Sequence, residues 1–124
     1  MTSFEIENQS PEYLLLFIII YVAGSDALEE KEKAVLVEKF NQFFHKNYSR
    51  NEIEKILTRA LEDFTFIDNS DIAAEYAISY FAQHYKKEEL QSFAQYVEEI
   101  ARADSLSFRE KSFLNLLKSR WQIA

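Results

Sequence analysis

Eleven consecutive apolar residues, Tyr13 to Ala23 (YLLLFIIIYVA), decide where the core of this chain has to lie. The run has no polar face to turn toward water, and it is about half the roughly 20 residues that a membrane-spanning helix needs. Gly24, Ser25 and Asp26 end it. Glu5, Glu7 and Glu12 precede it, where a signal peptide would carry Lys or Arg. The segment therefore reads as a helix buried on nearly all sides at the centre of a bundle. A soluble, cytoplasmic protein with no transmembrane segment is the expectation.

The rest of the chain must wrap that helix with few turn-forming residues. One glycine and one proline in 124 residues are too few for the tight turns of sheets and loop-rich folds, so short connections between helices are predicted. The length suits one domain over residues 1–124, with 1–9 as an N-terminal extension. Apolar residues at 48% and charged residues at 28% exclude a disordered chain. The absence of cysteine removes disulfides, thiolate metal sites and cysteine nucleophiles together. Fourteen Lys and Arg against 21 Asp and Glu give a net charge of −7, which argues against nucleic acid as a partner.

Six helical segments follow from spacing and caps. Ser10-Pro11 opens the first, a cap followed by proline at the first helical position, and the helix runs to about Gly24. The second begins near Glu29 and is predicted to bury Val35, Val37, Phe40, Phe43 and Phe44. Ser49-Arg50-Asn51-Glu52 is a capping box for the third, whose apolar face is Ile53, Ile56, Leu57, Ala60, Leu61 and Phe64. Ser70 is read as the cap of the fourth, which carries Ile72, Ala73, Tyr76, Ala77, Tyr80 and Phe81. A break falls near His84–Lys87, where no glycine, proline or clear cap stands, and one bent helix is the alternative. The fifth carries Leu90, Phe93, Ala94, Val97, Ile100 and Ala101. Ser107 and Glu110 form a second capping box, opening a sixth with Phe113, Leu114, Leu116, Leu117 and Trp121 inward.

Two corners of this bundle echo each other. Residues 23–33 lie over 101–111 without a gap, matching Asp26 with Asp104, Leu28 with Leu106, Glu32 with Glu110 and Lys33 with Lys111. Each follows an apolar helix and opens an amphipathic one, which suggests two related helical hairpins. Ile100-Ala101-Arg102-Ala103-Asp104, then Leu106, Ser107 and Glu110, resembles the repeated corner of the TerB-like family, the helical domain associated with bacterial tellurite resistance. Val22-Ala23-Gly24-Ser25-Asp26, then Leu28 and Glu32, resembles it less closely. Ala27 and Ser105 stand where the family places glycine. The resemblance covers about Pro11 to Ile123 and implies an all-α bundle of six to seven helices with an internal repeat of helical hairpins.

The acidic corners carry two readings. Asp26, Glu30, Glu32, Asp104 and Glu110 supply oxygen ligands of the kind that calcium or manganese takes, and the resemblance implies a candidate metal-binding surface there. Capping and dipole compensation ask for the same residues at the same places. An EF-hand is excluded, because the best window, from Asp63, has Ile67 and Asp68 at its fifth and sixth places and Ala74 at its last. His45 and His84 lack the Glu-x-x-His pairing of di-iron bundles and read as helix-end residues. No phosphate loop can be built on one glycine, and no catalytic motif is found. Tyr76, Tyr80, Phe81 and His84 read as core, with a pocket or partner-facing stripe as the alternative.

Charge is uneven as well: residues 1–32 hold one lysine against seven acids, whereas 105–124 are net basic. That polarity suits self-association as much as a solvated surface. As the resemblance implies, the expected role is a small non-enzymatic bacterial module that binds other proteins in a stress or envelope-linked system. A divalent-metal-binding module is the alternative.

Overall fold

The computed structural model describes residues 3–23, 30–102 and 108–123, with side-chain surroundings for 6–22, 33–99 and 111–123. Within them the chain is all helical: a short 3₁₀ helix, Ser3–Asn8, then α1 (Pro11–Ala23), α2 (Glu30–Phe44), α3 (Arg50–Phe66), α4 (Ser70–His84), α5 (Lys87–Arg102) and α6 (Phe108–Trp121). Helix α1 is the axis. It packs against α3, α4, α5 and α6, and every residue from Tyr13 to Val22 is buried, none more than 7% exposed. Ser10 opens it as expected, its Oγ accepting the Tyr13 amide at 3.3 Å. The 3₁₀ helix packs on α4 and buries Ile6 completely, so the segment before α1 contributes to the core.

Helices α3 to α6 close around this axis and α2 packs against α5, with corrections of phase. On α2 it is Leu36 and Phe40 that are buried, and Val35 faces out at 37% exposure. Leu36, Phe40, Phe43 and Phe44 share one stripe at helical spacing, and Val35 stands well off it. Ile72 and Leu116, expected inside, are also exposed. The capping box at Ser49 and Glu52 is present in both directions. The fourth helix is capped one residue earlier than expected: Asn69 Oδ1 accepts the Ile72 amide at 3.1 Å. Helices α4 and α5 are separate, because Tyr85 takes extended backbone (φ −127°, ψ 151°). Glu89 Oε1 then accepts the Lys86 amide at 3.1 Å, half of a capping box.

The repeat is visible in helix boundaries. An offset of 78 positions carries Glu30, the start of α2, onto Phe108, the start of α6, and the end of α1 to within one residue of the end of α5. Packing does not reproduce the expected pair of hairpins: α6 lies against α5, the helix before it, whereas α2 has its main contact on α5 and not on α1.

Two helices end without the glycine that such ends favour. His45 (φ 54°) and Gln122 (φ 56°) take left-handed backbone. In both, the next amide reaches back across the turn: Lys46 N to Asn41 O at 3.1 Å and Ile123 N to Lys118 O at 3.0 Å. These are Schellman ends built on side-chain-bearing residues, which carry a Cβ penalty of about 1–2 kcal/mol. Replacing His45 by Gly is expected to raise the unfolding free energy by about 0.5–1 kcal/mol, net of the extra freedom glycine gives the unfolded chain. His45→Ala should give no gain, and urea titration of the two variants separates them.

Candidate functional site: the cleft between α2 and α5

The acidic corners fall largely outside what the structure describes. Asp26 and Asp104 lie outside the described residues. Glu30 and Glu32 stand in the first turn of α2, and Glu110 in the first turn of α6, but their side chains are not among those described. Among the described residues, no three His, Asp or Glu side chains gather closely enough to hold a metal ion. His84 is the last residue of α4 and His45 follows α2, helix ends as expected.

The aromatic residues resolve mainly into core. Phe81 stacks on Phe93 at 5.5 Å, Phe93 meets Trp121 at 5.3 Å, and Phe43 packs on Phe93 at 5.4 Å and on Tyr85 at 5.3 Å. Tyr76 and Tyr80 are half-buried at its edge. The two tyrosines of α1 keep their rings inside and send their hydroxyls outward. Tyr13 Oη donates to Asp63 at 2.7 Å and Tyr21 Oη to Asp71 at 2.6 Å. These bonds tie α1 to the last turn of α3 and the first turn of α4.

A cleft of about 290 Å³ opens between α2 and α5. Phe43, Phe93 and Tyr96 line its base; Phe93 and Tyr96 are buried and Phe43 is half-buried. Tyr96 fixes one end of it, because its buried hydroxyl donates to Leu36 O at 2.9 Å across the two walls. With Leu36 beside Tyr96 and Phe43 beside Phe93, the helices run antiparallel. Lys39 and Glu99 therefore lie toward one end, and His45 and Glu89 toward the other. Gln42, Ser92 and Gln95 line the middle. Chemically, the cleft offers an apolar seat, two side-chain amides and charges of both signs.

A second surface lies at the α3–α4 corner. Phe66, the last residue of α3, is 76% exposed and Ile72, in the first turn of α4, is 56% exposed. Exposed Glu62, Asp68 and Asp71 neighbour them in sequence. These two large apolar side chains contribute little to folding, and burial against a partner would remove their area from water.

Three tyrosines hold their hydroxyl protons more tightly than usual. Burial does this for Tyr96. Burial, then the hydrogen bond to Asp63, does it for Tyr13. Tyr85 is pushed up to about 12 by burial first and then by the charges of Tyr80, Glu12 and Glu89. An unfolded tyrosine ionises near pH 10. Between pH 10 and about 12 the unfolded chain therefore binds fewer protons than the native one, and stability falls as pH rises. Alkaline unfolding is expected in that window. The tyrosinate absorbance of these three residues should appear together with loss of helix, rather than before it.

Sequence reasoning missed the cleft because its polar walls read as the solvent faces of two separate helices. Tyr96 alone carried a signal, standing three positions after Phe93 and four before Ile100. No helix among the described residues is long and apolar enough to cross a membrane. Neither a protein-family model, nor a curated protein, nor a solved structure matches the chain.

Proposed function

We propose that the chain is a small TerB-like module that binds other proteins, without chemistry of its own, in a cytoplasmic stress or envelope-linked system of a bacterium. The observation that supports protein binding is the α3–α4 corner, where Phe66 and Ile72 are left in water. The corner residues matched to the TerB pattern, with helix starts that repeat at the same offset, support the family reading. The test is cross-linked affinity capture from the native cells with the wild type and a Phe66→Ser, Ile72→Ser double variant. A partner captured by the wild type and lost by the variant, with helical content unchanged, is the expected result. Equal capture by both would remove the corner as the binding surface.

The alternative, a calcium or manganese module on Asp26, Glu30, Glu32, Asp104 and Glu110, is separated by thermal unfolding in millimolar calcium, magnesium or manganese. A site saturated about a hundredfold over its dissociation constant adds about 2.7 kcal/mol. The interaction reading expects no shift. A shift abolished by Asp104→Ala would replace it with the metal reading.

A further inference from the structure

We propose that the cleft between α2 and α5 is the docking groove for a short segment of a partner protein. That segment seats one large apolar side chain on Phe43, Phe93 and Tyr96 and places a basic residue on either side of it, facing Glu89 and Glu99. The proposal rests on the reading that the module binds proteins, and it adds a second binding surface to the α3–α4 corner.

Size argues first. About 290 Å³ is at the lower edge of the roughly 300–1,000 Å³ that small-molecule sites occupy. A single anchor side chain entering from a chain that runs along the groove suits such a space better than an enclosed cofactor. The base is ready to receive it, since Phe93 and Tyr96 are held in place by the aromatic cluster and by the Tyr96 bond to Leu36. An anchor placed there meets a surface that does not have to reorganise.

Charge argues next. Glu89 and Glu99 both line the groove, ten positions apart on one helix, which separates them by about 15 Å. Neither forms an ion pair among the described residues; Glu89 accepts only the Lys86 amide at 3.1 Å. A peptide with basic residues at both ends of that span meets both carboxylates, and the net charge of −7 draws it in from a distance. In an extended chain, at about 3.3 Å per residue, the span is four or five residues. Between the ends, Gln42 and Gln95 present amides that donate to and accept from a peptide backbone. Lys39, on the opposite wall, donates to a backbone carbonyl.

The test pans a random peptide library displayed on phage against the intact protein and remeasures the enriched peptides, as synthetic labelled peptides, on variants. Ser92 is exposed on α5 and lines the groove, so Ser92→Trp fills it without touching the core. Enriched peptides should share a large apolar residue between two basic ones spaced by four or five positions. Their affinity should fall about tenfold or more on Ser92→Trp and several-fold on Glu99→Lys. It should stay unchanged on Phe66→Ser, Ile72→Ser. Peptides without that pattern, or bound equally well by Ser92→Trp, overturn the proposal. Peptides lost only on the corner variant overturn it too, while leaving the module a protein binder. Failure to enrich any peptide overturns the groove, and the capture experiment then decides separately whether the module binds proteins.

Discussion

Alanine substitution at each position from Leu14 to Ile20 should cost about 2–5 kcal/mol, with no tolerant position among them. An ordinary bundle helix gives a periodic profile, with losses every third or fourth residue and near-neutral values between. Helix α1 is different because all of these residues are buried, enclosed by α3, α4, α5 and α6. Each truncation therefore leaves a cavity whichever way the side chain points. Exposed positions on α3 such as Lys55 and Thr58 should stay within about 0.5 kcal/mol. Chemical denaturation of the two series decides the matter: a repeating profile on α1 would mean that one of its faces sees solvent.

The second large effect is at Trp121. Its ring packs on Phe93 at 5.3 Å and on Phe81 at 6.4 Å, and its indole nitrogen donates to Ile78 O at 2.8 Å. The residue is 2% exposed. Trp121→Ala removes packing and hydrogen bond together and should cost about 3–5 kcal/mol. For a domain whose total is about 5–15 kcal/mol, that is a large fraction of the margin. Trp121→Phe keeps a ring against Phe93 and should cost less, with about 1 kcal/mol of its loss due to the hydrogen bond. Circular dichroism must follow the unfolding, since Trp121 is the only tryptophan. In the wild type its emission should be blue-shifted and should move red only as the helices melt.

Features that depend on a few neighbouring residues were legible in the chain. Ser10-Pro11 starts α1, and Ser49 and Glu52 cap α3 reciprocally, because a cap is satisfied within one turn. The burial of the Tyr13–Ala23 run followed from having no polar face. What escaped depends on which helix docks against which. Val35-Leu36-Val37 offers three apolar residues in a row, and only the longer stripe through Phe40, Phe43 and Phe44 sets the phase that puts Leu36 inward. Asn69 and Ser70 are both competent caps, and the extended backbone at Asn69 (φ −149°, ψ 95°) selects the first. The cleft joins Lys39 and Gln42 to Ser92 and Glu99, residues that no local period relates. The acidic corners were the most conspicuous sequence signal, yet their aspartates lie outside the described residues.

The central position of α1 also sets a schedule. Its neighbours α3 to α6 all follow it in the chain, and the last of them, α6, is complete only at Trp121. At roughly 5–20 residues per second, synthesis needs on the order of 5–20 seconds to travel from α1 to the end of α6. Throughout that interval the most apolar stretch of the protein has been made and its enclosure has not. Newborn chains therefore carry a sticky segment whose cover begins with α3 and is complete only when the last helix arrives.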